Sequence, residues 1–254
     1  LLRDAVRLRL RSDVKVGSAL SGGIDSSSIV SLVNDLHAGE GSEGRQETFS
    51  SVYKAPGTIS CDESEYIDQL AQHLGVHSNQ IEPDEKDIPD EHAQMIYHLE
   101  TPPTGTLMSS WHTFKLVGRS DVTVTLDGQG ADEQLAGYDG YVTNYVANLS
   151  LSAAIQECGF TGRSQRRRAL KGLVIKVASM ILGRKLALRF LEKVSKSISL
   201  QAMPLNQKLA LDLRNNLITL LHYADKTSMA YSVESRMPFM DFRLVEFLFE
   251  VPAG

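Results

Sequence analysis

A short run rich in serine and glycine, Ser21–Ser28, contains the residue types best suited to chemistry in this chain. Its two glycines, Gly22 and Gly23, lack a Cβ, which lets a backbone curl around a phosphate group. The run lacks the lysine of a Walker loop and carries an acid, Asp25, instead. An acid beside a polyphosphate requires a divalent cation between them, most simply Mg²⁺. The run therefore predicts a phosphate site that works with a metal ion.

The segments on either side of this run predict a strand and a helix. Val14–Ser18 alternates apolar and polar residues, as a strand does. Ile24–Leu36 has apolar residues at helical spacing, and Gly39 follows as a stop signal. Free N–H groups at the start of that helix would point at an anion. The alternative is an ordinary turn, but the full string between a strand and a helix favours nucleotide binding.

A second constellation, Asp127–Tyr138, follows a predicted strand over Asp121–Leu126. It holds three glycines and three acids, and acids this dense repel one another unless a cation or a donor-rich ligand joins them. The alternative is a solvated turn in which Ala131–Leu135 begins a helix. The pairing of this segment with Ser21–Ser28 favours a ligand site.

Composition limits the class of protein. The chain has 254 residues, of which 42% are hydrophobic and 22% charged, as in an ordinary globular protein with a full core. The net charge of −5 gives no indication of a nucleic-acid partner, and no apolar run is long enough to span a membrane. Two cysteines, Cys61 and Cys158, are too few for a disulfide framework, so a reducing cytoplasm fits.

The order of predicted elements indicates the fold class. Strands and helices alternate through residues 1–140, which predicts an α/β fold with a doubly wound parallel sheet. Ligands bind such sheets at the carboxyl ends of the strands, where both glycine-rich segments would lie. From Tyr141 onward strand patterns disappear, so residues 141–254 are predicted to be mainly helical.

A basic segment, Gln156–Lys196, interrupts this helical part. A solvated helix face or an inserted hairpin is favoured there over a phosphate or nucleic-acid patch. An interfacial membrane helix over Leu173–Phe190 is not favoured, because Arg184, Lys185 and Arg189 fall close to its apolar stripe. Membranes and nucleic acid are therefore not expected as partners.

Three motifs in order resemble one known family. They are Ser21–Ser27, Asp127–Tyr138, and the string from Tyr223–Ala230 through Glu234–Asp241. The first resembles the pyrophosphate loop of N-type ATP pyrophosphatases, and all three together closely resemble the synthetase domain of glutamine-dependent asparagine synthetases. The resemblance implies an adenine nucleotide α-hydrolase-like fold and ATP with Mg²⁺. It also implies adenylation of a small carboxylate such as aspartate, and amide formation with ammonia from a glutaminase domain. It leaves a homodimer open.

The resemblance also implies roles for individual residues. Pyrophosphate would be held by the loop donors Ser21, Gly22, Gly23, Ser26 and Ser27. Mg²⁺ would be bound by Asp25 and Asp132. The adenosine site would be lined by Leu20, Val52, Asp127 and Gly128. The residues expected to act in catalysis are Asp25, Asp132, Glu133, Gln129 and Arg236. Glu234 would support the substrate pocket with Arg236, a salt bridge being the alternative, and Asp225 with Ser228 would lie near the substrate.

Three departures from the family pattern bound these expectations. The chain begins with Leu1 rather than the cysteine nucleophile of a glutaminase, and it ends at Gly254, before the family's catalytic lysine, so a fragment is expected. Gln129 stands where asparagine synthetases carry glutamate, so the acceptor acid stays open. Relatives that amidate sugar acids or close lactam rings, and a non-catalytic nucleotide-binding module, are the alternatives. The intact acids Asp25, Asp132 and Glu133 argue against the module.

Overall fold

The structure, a computed structural model, describes residues 1–40, 46–105, 107–162, 164–183, 186–187 and 203–252. The chain divides into two compact units. The sheet unit comprises Leu1–Gln129 and Thr219–Leu244, and the helical unit comprises Gly130–Ile218 and Val245–Gly254.

The sheet unit contains a sheet of five parallel strands in the order β3-β2-β1-β4-β5. The strands are β1 Val16–Ala19, β2 Glu47–Ser51, β3 His77–Ile81, β4 Val124–Leu126 and β5 Glu234–Arg236. The chain adds β2 and β3 on one side of β1, and β4 and β5 on the other. The order therefore reverses between β1 and β4, and such a switch point is where open α/β sheets bind ligands. The predicted α/β fold class is confirmed.

Helices surround this sheet in the chain order expected for crossover connections. They are α1 Leu2–Arg9, α2 Ile24–Glu40, α3 Ser64–Leu74, α4 Ile88–Leu99 and α5 Met108–Val117. One core cluster joins Leu20, Val30, Val52 and Ile67, which come from α2, α3 and the ends of β1 and β2. A second cluster packs Phe49 of β2 against Phe114 and Val117 of α5.

The helical unit consists of short helices packed on one another. They are α6 Ala131–Leu135, α7 Tyr141–Asn148, α8 Leu151–Phe160, α9 Arg166–Leu182 and α10 Leu205–Arg214. Val146, Ala154 and Ala169 form the core between α7, α8 and α9. A Cβ at Gly172 would lie 2.7 Å from the Thr143 carbonyl oxygen, so glycine permits the close crossing of α7 and α9. Two further helices, α11 Asn216–Met229 and α12 Phe242–Glu250, have residues in both units.

Two expectations from the sequence were wrong. The helix α2 continues through Gly39 to Glu40 rather than stopping there, and a Cβ at Gly39 would meet nothing within 4 Å. A strand, β5, lies beyond Tyr141, where none was predicted, because its three polar residues show no alternation and only pairing with β4 makes them a strand. Arg163, Arg184, Lys185, Arg189 and Lys196 of the basic segment lie outside the described residues. No described helix is long and apolar enough to cross a membrane.

Candidate functional site

The loop between β1 and α2 is braced by its own serines. Ser26 Oγ accepts a hydrogen bond from the Ser21 N–H at 3.1 Å and donates to the Gly23 carbonyl at 3.2 Å. The Ser21 and Ser26 hydroxyl oxygens lie 3.0 Å apart, and the Gly23 N–H donates to Ser21 Oγ. Ser27 begins the helical pattern, with its N–H bonded to the Gly23 carbonyl. The Ser26 hydroxyl is buried and shapes the loop from within.

The two glycines of this loop serve different purposes. Gly22 has a φ of +88°, and a Cβ there would lie 3.0 Å from Glu63 Cβ, so both the backbone and the space require glycine. Gly23 has no positive φ, and a Cβ there would meet only Ser21 Oγ, at 3.4 Å. The glycine that the fold itself needs is therefore Gly22. The space beside Gly23 is otherwise open, which is compatible with the predicted phosphate.

Leu20 and Val52 lie beneath the loop rather than on an open surface. Both side chains are buried in the cluster that also contains Val30 of α2. The Leu20 N–H donates to the Phe49 carbonyl, which extends the pairing of β1 with β2 into the loop. Their predicted contact with adenosine stays a prediction, and what the structure adds is their support of the start of α2.

The second segment meets the first at the start of α2. A Cβ on Gly128 would lie 3.0 Å from the Ser26 nitrogen and 3.2 Å from Asp25 Cβ. Only a glycine allows this approach, so the chain after β4 lies directly on the first turn of the helix after β1. Asp25 is half-buried there. The structure thus brings Asp25, Ser26 and Gly128 together at the switch point of the sheet.

Asp127 anchors this segment to the end of β5. Its carboxylate is 5% exposed and accepts a hydrogen bond from Ser235 Oγ, while its N–H donates to the Arg236 carbonyl at 2.8 Å. Its other oxygen, Oδ1, is buried and makes no well-formed hydrogen bond with any described residue. Burial raises the pKa of Asp127 to about 6, although the Ser235 hydroxyl opposes the rise. The third motif, Glu234–Asp241, includes Ser235, but its contact with Asp127 was not predicted, because the strand that carries it was not predicted.

The helical unit holds the remaining acids of the second segment, on α6. Glu133 is 1% exposed, and its Oε1 accepts a 2.6 Å hydrogen bond from the Tyr138 hydroxyl. Its Oε2 is buried and has no hydrogen-bond partner in the described part of the chain. Asp132 is half-buried, and a Cβ on Gly137 would overlap Asp132 Oδ1. Glycine at that position thus makes room for the Asp132 carboxylate.

Arg236 forms a salt bridge with Glu234, which was the alternative to a role of the pair in the substrate pocket. Its Nε donates to Glu234 Oε1 at 2.7 Å, and its Nη1 donates to the carbonyls of Arg9 and Arg11 at 2.8 and 2.9 Å. The guanidinium therefore binds the carbonyl end of α1, a fixed use of its donors. A catalytic role for Arg236 stays a prediction that these contacts do not favour.

Asp225 and Ser228 lie on α11 and face different environments. Asp225 is exposed, whereas Ser228 is buried and donates its hydroxyl to the Asp225 carbonyl at 3.0 Å. The Ser228 hydroxyl is thus used within its own helix. Beside these residues opens a cavity of about 390 Å³, lined by residues of α11 and of the end of α4: Tyr97, His98, Glu100, Lys226, Met229 and Ala230. None of the predicted site residues lines it.

Gln129 is half-buried and is the last residue of the sheet unit, and Gly130, with a φ of +93°, opens the helical unit. The described arrangement therefore has two parts. One is an open, glycine-lined loop at a helix start, which suits an anion. The other is a pair of acids on α6 positioned by a glycine and a tyrosine.

Comparison with known proteins shows the family of the chain. The whole chain, residues 1–254, matches the family model described as asparagine synthase. The chain belongs to the asparagine synthase family. It is 27% identical to asparagine synthetase [glutamine-hydrolyzing] 2 of Bacillus subtilis strain 168, over 100% of this chain and 33% of that protein. It is 28% identical to asparagine synthetase [glutamine-hydrolyzing] 1 of the same organism, over 98% of this chain and 42% of that protein.

Another relative of the chain carries a different name. The chain is 32% identical to amidase chyE of Penicillium rubens, over 55% of this chain and 22% of that protein. The chain thus spans about a third to two fifths of the length of the two bacterial relatives, 33% and 42%.

Proposed function

We propose that the protein containing this chain is an ATP-dependent ligase that forms an amide on a substrate carboxylate. The observation that carries the proposal is the contact of Gly128 with Asp25 and Ser26 at the start of α2. It joins the loop in which we propose an anion site to the segment that leads to the acids of α6. Membership in the asparagine synthase family supports the same reaction class.

In the proposed reaction, a carboxylate oxygen of the substrate attacks the α-phosphorus of ATP, and the bond to the bridging oxygen of the β-phosphate breaks. Pyrophosphate leaves, and an acyl-adenylate remains. Ammonia, supplied by a glutaminase domain, then attacks the acyl carbon, AMP leaves and the nitrogen loses a proton. The open face at Gly23 and the N–H groups of the first turn of α2 would hold the pyrophosphate. Because ATP and the carboxylate repel each other, positioning is the main task of the protein.

Mg²⁺ fits the donors that the chain offers. Among the residues that the structure describes, no three His, Cys, Asp or Glu side chains lie close enough to hold a metal by themselves. This is compatible with Mg²⁺, which binds through one or two carboxylates, waters and substrate phosphates. We propose Asp25 and Asp132 as its protein ligands. When bound, the ion would offset the negative charge that develops on the departing pyrophosphate.

A more specific question than the reaction class is which carboxylic acid accepts the ammonia. Aspartate carries an ammonium group that favours a carboxylate partner, whereas Gln129 offers a neutral acceptor and a donor. We therefore propose an acceptor whose corresponding end is uncharged or bears a hydroxyl, such as a sugar acid or a lactam precursor. The fungal relative named an amidase supports the view that family membership does not by itself assign aspartate.

The test is carboxylate-dependent exchange between ATP and labelled pyrophosphate, measured on the full-length protein without ammonia, followed by amide formation when ammonia is added. Asp25→Asn should reduce exchange by at least about a hundredfold while weak nucleotide binding persists, because the metal loses a charged ligand. Asp35→Asn is the matched control. It makes the same change on α2, at an exposed carboxylate that pairs with Arg3.

Two results would contradict the proposal. Near-normal exchange by Asp25→Asn would remove Asp25 from the metal site. Nucleotide binding by the unaltered protein without pyrophosphate release, for any acid in a panel of amino acids, sugar acids and peptide acids, would instead indicate a binding module.

A further inference from the structure

The helical unit carries a helix, α9, that contains none of the predicted site residues. Between residues 163 and 189 the sequence has nine lysines and arginines and no acid, although the whole chain has a net charge of −5. The rest of the chain is therefore strongly acidic. Such segregation of charge indicates an anionic partner for this segment.

The helix α9, inside this segment, turns apolar side chains to the solvent. Leu170, Val174, Val177 and Ile181 are 47%, 67%, 38% and 76% exposed. Their spacing of four, three and four residues places them on one face of a helix. These four residues form the apolar stripe of α9. On the neighbouring α8, Ile155 and Phe160 are exposed as well.

The other face of α9 is already occupied. Ala169, Gly172 and Ile175 are buried, and Ala169 packs with Val146 of α7 and Ala154 of α8. The apolar stripe therefore does not contribute to the core of the helical unit. A helix with a packed face and a second, exposed apolar face is typical of a binding surface.

Basic side chains lie beside the apolar stripe at its N-terminal end. Arg166, Arg167 and Lys171 are exposed, and all three lie within the first two turns of α9. The fourth, Arg168, is paired with Asp139 at 2.6 Å in the same unit. Three cations are thus available to an external anion next to the stripe.

The bounds of α9 change the conclusion drawn from the sequence. The sequence did not favour an interfacial helix over Leu173–Phe190, because Arg184, Lys185 and Arg189 fall close to its apolar stripe in a continuous helix. The structure ends α9 at Leu182, and Gly183, with a φ of +74°, terminates it. The helix α9 therefore includes none of these three residues, and its last two turns up to Leu182 contain one basic residue, Lys176.

We propose that α9 docks on an anionic lipid surface. The apolar stripe would enter the boundary between headgroups and acyl chains, and Arg166, Arg167 and Lys171 would contact acidic headgroups. A nucleic acid would use the cations but leave the apolar stripe in water. A second copy of the chain would bring two segments of like charge together. This docking is independent of the proposed ligase activity.

The experiment is sedimentation of the full-length protein with vesicles, either of phosphatidylcholine alone or of phosphatidylcholine mixed with phosphatidylserine. Binding should require phosphatidylserine and weaken at high salt. Val174→Glu with Ile181→Glu should lower the partition coefficient more than tenfold, because two exposed apolar side chains no longer enter the lipid. Arg166→Gln with Arg167→Gln should lower it by about tenfold or more.

A matched double variant tests whether position matters. Ile218→Glu with Arg214→Gln makes the same types of change at an exposed isoleucine and an exposed arginine outside α9, and it should bind as the parent does. Circular dichroism of each variant shows whether it is folded. Absence of binding to phosphatidylserine vesicles by the folded parent would overturn the proposal. So would equal binding by the Val174 and Ile181 variant, or a concentration-dependent dimer that this variant abolishes.

Discussion

Two carboxylates in the sheet unit, Asp127 and Asp241, are almost equally buried and behave in opposite ways. Their exposed fractions are 5% and 6%. Burial raises the pKa of Asp127 to about 6, whereas hydrogen bonds from Arg243 and Arg9 hold the pKa of Asp241 well below its usual range. Burial alone therefore does not decide how a carboxylate titrates, and its partners do.

Asp241 is surrounded by charged donors. Arg243 donates from Nε to Oδ1 at 2.9 Å and from Nη2 to Oδ2 at 3.0 Å, and Arg9 donates to Oδ2 at 3.1 Å. Arg243 also pairs with Asp4, so the cluster ties α1 to the start of α12. Asp127 has only neutral donors, chiefly the Ser235 hydroxyl, and its Oδ1 makes no well-formed bond to any described residue.

The difference indicates a structural role for Asp241 and supports the proposal of a functional role for Asp127. The contacts of Asp241 stabilise the fold, and they would be expected in any protein that had to hold α1 in place. The environment of Asp127 disfavours its ionised form, yet the residue lies at the root of the segment that meets α2. Groups kept in unfavourable environments concentrate at functional sites. The comparison thus supports the proposal that the segment after β4, which begins with Asp127, belongs to the active site.

The largest expected effect is on stability, at Asp241. Asp241→Ala should lower the free energy of unfolding by about 3 kcal/mol, because it leaves partly buried arginines without their carboxylate. Urea titration at neutral pH, followed by circular dichroism, measures the change. Asp35→Ala, which removes an exposed partner of Arg3, should change it by less than about 1 kcal/mol. Equal losses for the two variants would mean that the Asp241 cluster does not act as a buried network.

The next effect is the pH dependence of stability at Asp127. The folded-state pKa, about 6, lies above the ordinary 3.8, so ionisation of Asp127 is harder in the folded state than in the unfolded state. Stability from this residue therefore falls as pH rises from about 4 to about 6, by up to about 2–3 kcal/mol. Asp241 behaves oppositely, since its contribution is present above its ordinary pKa and is lost only as pH falls through the lowered folded-state pKa.

Asp127→Asn isolates the contribution of Asp127 ionisation to stability, because the amide has the same shape as the carboxyl group and cannot ionise. The variant should be more stable than the parent near about pH 7, and the advantage should shrink as pH falls toward about 4. Urea midpoints across this pH range give the comparison. A difference between variant and parent that does not change with pH would show that the pKa of Asp127 is not raised.

The sequence predicted the parts of the fold that have local patterns. The strands β1 and β4 were predicted from alternating or apolar residues over Val14–Ser18 and Asp121–Leu126, and they lie at Val16–Ala19 and Val124–Leu126. The strand β5 could not be predicted, since Glu234–Arg236 is short and polar and becomes a strand only through hydrogen bonds to β4. Membership of that strand in the sheet is decided by tertiary packing, not by propensity.

The candidate site was predictable in its residue types but not in its contacts. Glycines and acids in Ser21–Ser28 and Asp127–Tyr138 were evident from the sequence alone. The approach of Gly128 to Ser26 joins segments about a hundred residues apart, and so does the bond from Ser235 to Asp127. Such contacts depend on the order of strands in the sheet. The contact of Arg236 with the end of α1 could not be predicted from the sequence for the same reason.

A smaller effect should follow from crowding the contact between the two segments. Gly128→Ala places a methyl group about 3.0 Å from the Ser26 nitrogen, so the segment must shift away from α2. We expect kcat/KM for ATP to fall by about tenfold, as overpacking by one methyl group typically costs 1–3 kcal/mol. Gly140→Ala is the control, because a Cβ there meets nothing within 4 Å. Equal activity of both variants would show that the contact of Gly128 with α2 is not needed for the use of ATP.

The smallest expected effect concerns the choice of acceptor acid and is expected at Gln129, in the same segment as Asp127 and Gly128. Gln129→Glu adds a carboxylate two residues beyond Asp127, and an anionic side chain there could pair with the ammonium group of aspartate and accept a proton from attacking ammonia. The parent should use aspartate poorly. The variant should use it about five- to tenfold better, which corresponds to roughly 1 kcal/mol.

Aspartate-dependent pyrophosphate release, with ammonia supplied directly, measures both forms of the full-length protein. Gln156→Glu, at an exposed position on α8, controls for a general effect of added charge, and it should give no gain with aspartate. Brisk use of aspartate by the parent, with no gain from Gln129→Glu, would contradict the specificity argument and leave the ligase proposal intact. The two outcomes differ because Gln129 is argued to select the acceptor, whereas activation of any acceptor depends on the loop before α2 and on its contact with Gly128.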